Sequence, residues 1–454
     1  VVIGTPQANG SLELKAINSC IQFMPTLHGK ALITVEDLAA NGTLHPCQRA
    51  MVECHGSQCG FCTPGFVMTL FAHYENTWRA ATPAHASGAA FADHAAQRPV
   101  RVHRQELDDL LSGNLCRCTG YRPILEAAQR MFELAHTHRY DDGAAVSALQ
   151  FVPAQTVMYA PTTRAELAAL RLAHPNATLL AGSTDVGLWV TKQLRELDEL
   201  IYVGNVADLA HPQRRNDHLV IGAAVTLEKA FAAIAEHVVP GNESFRELWL
   251  RFASPLIRNV GTLVGNVANG SPIGDSMPAL IALHAAVVLQ KGERIREMPL
   301  SNFYLAYQKT ALEVGEFVAE VKLPVLVPTA QFRTYKLSKR FDQDISAVSF
   351  AASHSLESAV AKHVCICFGG MAATPKRAAR AEAALEGKPF TLESVRAAMD
   401  ALVEDFTPLT DMRASAAYRM RMAQNFLLRY WHETQTNAPL SSAQTSVRFV
   451  EEAL

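Results

Sequence analysis

No stretch of the 454 residues stays apolar for the ~20 positions a bilayer-spanning helix needs, so the sequence offers no membrane span. It also lacks a charge excess of either sign. Forty-one basic residues stand against 43 acidic ones, for a net charge of −2, with no basic block. Nothing electrostatic therefore favours a nucleic acid or an anionic membrane as partner. The opening Val-Val-Ile-Gly has no basic region of an export signal. Without an initiating Met, the chain reads as lacking upstream residues. A G-x-G-x-x-G fingerprint is missing from the glycine-bearing turns, which leaves a Rossmann reading unsupported, and no internal repeat has a fixed period. What is present is ordinary for a globular protein: 49% hydrophobic and 19% charged residues. At roughly 100–200 residues per domain, two to four domains are expected.

Cysteine is the exception. Of nine, five (Cys20, Cys47, Cys54, Cys59 and Cys62) fall in the first 62 residues. In a chain without an export signal, such clustering points to metal or redox chemistry more than to disulfides, and so to the cytoplasm. The run His55-Gly-Ser-Gln-Cys59-Gly-Phe-Cys62-Thr-Pro-Gly65 puts two thiols on a glycine-containing turn, with Pro64 suited to start a helix. Gly113-Asn-Leu-Cys116-Arg-Cys118-Thr-Gly-Tyr-Arg-Pro123 repeats the arrangement. Four thiolates in two such pairs can close around one centre, with turn N–H groups donating to the sulfurs. Spacing alone leaves iron–sulfur and structural zinc both open, and buried unligated cysteines remain the plain alternative. Cys54, Cys59 and Cys62 also satisfy the C-x4-C-x2-C spacing of plant-type ferredoxins. Cys54, however, lies in a helical pattern over 48–54 rather than on a loop.

Two later stretches look suited to a nucleotide. Thr178-Leu179-Leu180-Ala181-Gly182-Ser183-Thr184-Asp185 is an apolar strand entering a small-residue turn, where backbone N–H groups can approach a phosphate. By itself it is equally a plain strand-to-helix turn. Residues 258–275 hold four Gly and three Asn among 18 positions, a composition that lets backbone wrap a ligand. Helices are expected over 45–72 and 115–137, and a surface loop over 78–104. Strands are expected at 1–3, 31–35, 178–181, 201–203, 218–224, 347–353 and 363–368. A helix passing into a strand fits 280–290, and a helical tail fits 418–433. Cys365 and Cys367 alternate on one strand and read as core.

The strings HGSQCGFCTPG and NLCRCTGYRPI resemble the second [2Fe-2S] domain of the molybdenum hydroxylases, the family of xanthine dehydrogenases and aldehyde oxidases. The resemblance implies Cys59, Cys62, Cys116 and Cys118 as cluster ligands, leaves Cys54 out, and favours iron over zinc. It matches Cys20 to the fourth ligand of a preceding plant-type [2Fe-2S] domain whose other three ligands this chain does not contain; a second cluster is therefore conditional on them. In the nucleotide half it implies that 178–185 and Thr262, Leu263, Val264, Gly265 and Asn266 cradle the FAD pyrophosphate. It further implies that Asp275 holds a ribose or adenine-side hydroxyl, that Phe252 lies against the isoalloxazine, and that Lys336 contacts the flavin. The loop through Asp344 would then wall the NAD⁺ side. The fold expected is a multidomain α+β one: a ferredoxin-like β-grasp remnant (1–40), a helical [2Fe-2S] domain (41–138), a linker (139–155), a two-part α/β FAD-binding domain (156–328) and an α+β C-terminal domain (329–454). Cluster and FAD regions without a molybdenum domain resemble the small subunit of a bacterial two-subunit xanthine dehydrogenase. The implied partner is a large subunit holding the molybdenum cofactor, in a heterotetramer, with NAD⁺ as acceptor. An aldehyde, carbon monoxide or N-heterocycle substrate stands as an alternative, as does a zinc-stabilised nucleotide-binding protein without redox role.

Overall fold

The computed structural model describes residues 1–7, 9–39, 42–81, 102–134, 142–149 and 158–445. Among these, no helix is long and apolar enough to cross a membrane. The chain forms two compact units. The first comprises Val1–Val157 with Ser183–Glu196 and Ala253–Val260; the second comprises Met158–Gly182, Leu197–Phe252 and Gly261–Leu454.

In the first unit, Leu12–Ala16, Val2–Pro6 and Ala31–Ile33 make an antiparallel sheet with Val2–Pro6 in the middle. Leu12–Ala16 is not among the expected strands, because Leu, Glu, Lys and Ala are good helix formers. Alternation decides the matter by burying Leu12, Leu14 and Ala16 on one face. The helix Thr63–Ala81 buries Phe66, Leu70, Tyr74 and Trp78, a stripe at helical spacing. Met51 from the helix Pro46–Glu53 joins that core, as do Ile124 and Ala128 from Arg122–Arg130. The stretch expected as a linker contains the helix Asp142–Leu149. Its first carboxylate accepts the Leu12 N–H at 3.1 Å and pairs with Arg79 at 2.8 Å, tying it to the sheet and the long helix. The rest of that stretch, and 82–101 of the expected surface loop, lie outside the described residues.

The second unit begins with the helix Arg164–Ala173, started by a Thr163/Glu166 capping box. The strands Thr178–Leu180 and Leu200–Tyr202 pair in parallel. A five-stranded antiparallel sheet follows, in the order Gln213–Arg215, His218–Gly222, Phe317–Pro324, Ala286–Lys291, Arg294–Pro299. A separate antiparallel sheet runs Ala330–Leu337, Val348–Glu357, Val360–Gly369, Lys376–Arg377. The helices Ala379–Leu385, Leu392–Asp405 and Ala416–Thr434 pack on it around Phe350, Phe368, Leu402 and Leu427. Cys365 and Cys367 are fully buried, core residues as expected.

The outer edge of Val360–Gly369 is closed along its length by the chain that follows it. Phe390 N–H donates to Ala359, Ala361 N–H to Lys388 and Gly387 N–H back to Ala361. The Glu386 carboxylate accepts from the N–H groups of His363 and Val364, and Glu382 from that of Ile366. Lys376–Arg377 completes the closure opposite Cys367 and Phe368. An edge strand left unpaired is a template for another chain.

Candidate functional site

The two cysteine turns meet because the helices that follow them share one core. The thiols act on one another in two pairs, Cys59 with Cys118 and Cys62 with Cys116. Among the described residues, no group of three or more His, Cys, Asp or Glu is placed to hold a metal ion. The expected single closure of four thiols is thus two pairs side by side. Cys59 and Cys118 are exposed, Cys62 half-buried and Cys116 buried. Cys54 caps the helix Pro46–Glu53 and packs against the core. Cys20, exposed, sits in the short helical turn Ser19–Ile21 capped by Asn18.

Backbone N–H groups face the sulfurs, as turns of this kind permit. That of Phe61 and the Cys118 thiol hold Cys59 below its ordinary value, and the Cys59 thiol in turn raises Cys118. The Thr119 hydroxyl, 3.1 Å from the Cys116 Sγ, leads the groups that bring Cys116 down to about 7. Burial, then the Cys116 thiol, pushes Cys62 up to about 11. Each pair therefore holds one sulfur shifted down and one shifted up. Two such pairs, lined by N–H donors, fit the thiolate set of a two-iron cluster, whose charge those donors offset.

Local geometry explains residues that the motif strings contain without a stated role. Asn114 Nδ2 donates to Thr69 Oγ1 at 2.9 Å, pinning one cysteine turn to the helix that follows the other. A Cβ on Gly65 would lie 2.8 Å from the Asn114 Oδ1, so this position accepts only glycine without displacing Asn114. Tyr121 has φ +66°, strained for a residue with a Cβ, and its phenol oxygen accepts the Cys116 N–H at 3.0 Å.

The expected nucleotide residues fall in both units. Thr178, Leu179 and Leu180 form the strand, and Ala181 and Gly182 follow in the second unit, whereas Ser183, Thr184 and Asp185 belong to the first. Ser183, at φ +64°, is buried with an unpartnered Oγ. The Thr262 Oγ1 caps the helix Leu263–Asn269 by accepting the Gly265 N–H, and a Cβ on Gly265 would lie 3.8 Å from that of Ala181. Leu263 and Val264 are core on the far side of that turn. The Ser276 hydroxyl donates to the Asn266 side chain, and Asp275 beside it is buried. The Lys336 Nζ donates to Asp275 Oδ2 at 2.7 Å and to the carbonyl of Arg251 at 3.2 Å, while Ser346 donates to Asp275 Oδ1. Both expected contact residues, Asp275 and Lys336, thus engage one another. Phe252 is buried, its ring 5.2 Å from that of Phe231 at 69°. The orphaned Ser183 hydroxyl is a buried donor that a phosphate-bearing ligand would satisfy. Ser346 had no signal in the sequence, since it meets Asp275 across 71 residues.

The Arg251 guanidinium holds the 338–341 loop. It donates to the Phe341 carbonyl and Ser338 Oγ, and stacks 4.3 Å over the Phe341 ring. Arg419, buried on Ala416–Thr434, donates to the carbonyls of Ala347 and Gly370 and pairs with Asp411 at 2.6 Å. The Gly370 N–H in turn donates to the Pro272 carbonyl at 2.8 Å.

Three family models match successive stretches of the chain. These are a [2Fe-2S] binding domain over 34–129, the FAD binding domain in molybdopterin dehydrogenase over 151–326, and a CO dehydrogenase flavoprotein C-terminal domain over 333–434. A xanthine dehydrogenase of Emericella nidulans is 29% identical across 95% of this chain and 35% of its own length. A nicotinate hydroxylase of the same organism is 27% identical across 89% of this chain and 37% of its own. The chain spans about a third of the length of the curated relatives it matches. A solved carbon monoxide dehydrogenase from Hydrogenophaga pseudoflava aligns with TM-score 0.56 and 29% identity, over 62% of this chain and 96% of that one. A quinoline 2-oxidoreductase from Pseudomonas putida shares the fold at TM-score 0.56 and 22% identity, over 64% of this chain and 100% of its own.

Proposed function

Because the chain belongs to the molybdenum hydroxylase family, carrying its [2Fe-2S] and FAD-binding parts, we propose that it is the electron-transfer component of a xanthine dehydrogenase. A partner subunit would hold the molybdenum cofactor and hydroxylate the purine. The observation that carries the reading is the meeting of Cys59, Cys62, Cys116 and Cys118 in two N–H-lined pairs. When bound, the cluster supplies one-electron transfer and FAD the step to hydride chemistry at NAD⁺. The chain's own residues bind and orient: the four cysteines would take the iron, 178–185 and 262–266 would take the FAD pyrophosphate, and Asp275 and Lys336 would flank the remaining FAD groups, with Phe252 beside the ring. No side chain here needs to move a proton for the hydroxylation.

The nicotinate hydroxylase relative favours a second reading, the same electron route serving an N-heterocycle. Both are tested on the complex purified from its native host. Flavin absorbance, about two iron and two sulfide per cluster, a co-purifying molybdenum subunit and xanthine-dependent NAD⁺ reduction would support the proposal. Nicotinate in place of xanthine would select the second reading. A chain with zinc and no sulfide would overturn both.

A further inference from the structure

The hydrogen bonds around the four cysteines are uneven. The backbone N–H groups of Cys59, Cys62 and Cys118, with those of Phe61 and Thr119, lie close enough to act on the thiol sulfurs. The Cys116 N–H instead donates to the phenol oxygen of Tyr121 at 3.0 Å. Tyr121 is held for this by an unusual backbone. Its φ is +66°, it follows Gly120 at φ +67°, and its own N–H is fixed by Thr119 Oγ1 at 3.2 Å. Its ring packs edge-on to Phe66, 6.3 Å away. A non-glycine residue in this region of φ is strained and persists only where its surroundings enforce it.

Donors aimed at cluster sulfur stabilise the reduced, more negative state and so raise the reduction potential. A donor diverted to a phenol is withheld from the sulfur. On the reading that these cysteines hold a [2Fe-2S] cluster, we propose that Tyr121 is a positioning residue that lowers the cluster's reduction potential by sequestering the Cys116 N–H. Thr119 acts in the opposite sense on the same cysteine, since its hydroxyl lies against the sulfur. Neighbours on one short turn thus pull the potential in two directions.

The test uses the full chain with its cofactors, titrated reductively and followed by the paramagnetic signal of the reduced cluster. Tyr121→Phe keeps the ring on Phe66 and removes only the oxygen. Tyr121→Asn, a residue that tolerates positive φ, removes the phenol by a second route. The expected result is an upward shift of the cluster midpoint in whichever variant assembles, with the flavin midpoint unmoved. An unchanged or lowered midpoint in an assembled variant overturns the proposal, and so does loss of the cluster in both variants, because Tyr121 would then be structural. Absence of iron and sulfide from the unsubstituted protein would instead fail the cluster reading itself.

Discussion

On the proposed cluster reading, Cys62 is a ligand and Cys54 a bystander on one short segment. Replacing Cys62 with Ala removes a member of a thiol pair, and iron and sulfide content should fall to background. Cys54→Ala removes a partly buried side chain from the core's edge, and the cluster's visible absorbance should persist. Gly65→Ala is the sharper case. Its Cβ would force the Asn114 side chain off Thr69, an overpacking that typically costs about 1–3 kcal/mol. A lower thermal midpoint with reduced cluster retention is expected, and unchanged retention would show that the Asn114 contact is dispensable. At this scale the cysteines and their turns were legible, because they follow from residues within a few positions of one another. Tyr121 and Thr119 sat in the same strings, but a backbone at positive φ and a phenol accepting an amide N–H leave no mark in composition or spacing.

Among elements, the helix Ala416–Thr434 bears on the flavin region without containing any residue expected there. Through Arg419 it grips Ala347, next to Ser346 on Asp275, and Gly370, whose N–H holds the Pro272 carbonyl three residues before Asp275. Arg419→Met should strand those carbonyls, at about 1–3 kcal/mol for each left without a donor, and weaken FAD retention through gel filtration. Arg419→Lys should recover part of it. Full retention by the Met variant would sink the idea of a strut. Long-range pairings of this kind escape sequence reading, because periodicity reports which face of an element is buried and not what that face meets. Element existence fared better: the strands Val348–Glu357 and Val360–Gly369 extend beyond the expected 347–353 and 363–368, while Leu12–Ala16 was hidden by helix-forming residues whose alternation is its only sign.

For the whole molecule, acid sensitivity should trace in part to His354. Burial, then the Arg333 charge, pushes it from 6.5 down to about 4, and its Nδ1 meets the Tyr430 hydroxyl. The fold holds this imidazole neutral, so its contribution is complete above about pH 6.5 and is lost as pH falls toward about 4, on the order of 3 kcal/mol. His354→Gln should be less stable than the parent at neutral pH, and its thermal midpoint should fall less between about pH 7.5 and about pH 5. Parallel curves would refute this. The closed edge of Val360–Gly369 bears on how the chain is made. Everything that covers that edge lies between 376 and 390, so synthesis releases the strand before its cover. For that interval a hydrophobic β-strand emerges with one side open to any neighbouring nascent chain. Stalling translation just after Gly369 should therefore give an aggregation-prone species, and extending the nascent chain past Phe390 should rescue it.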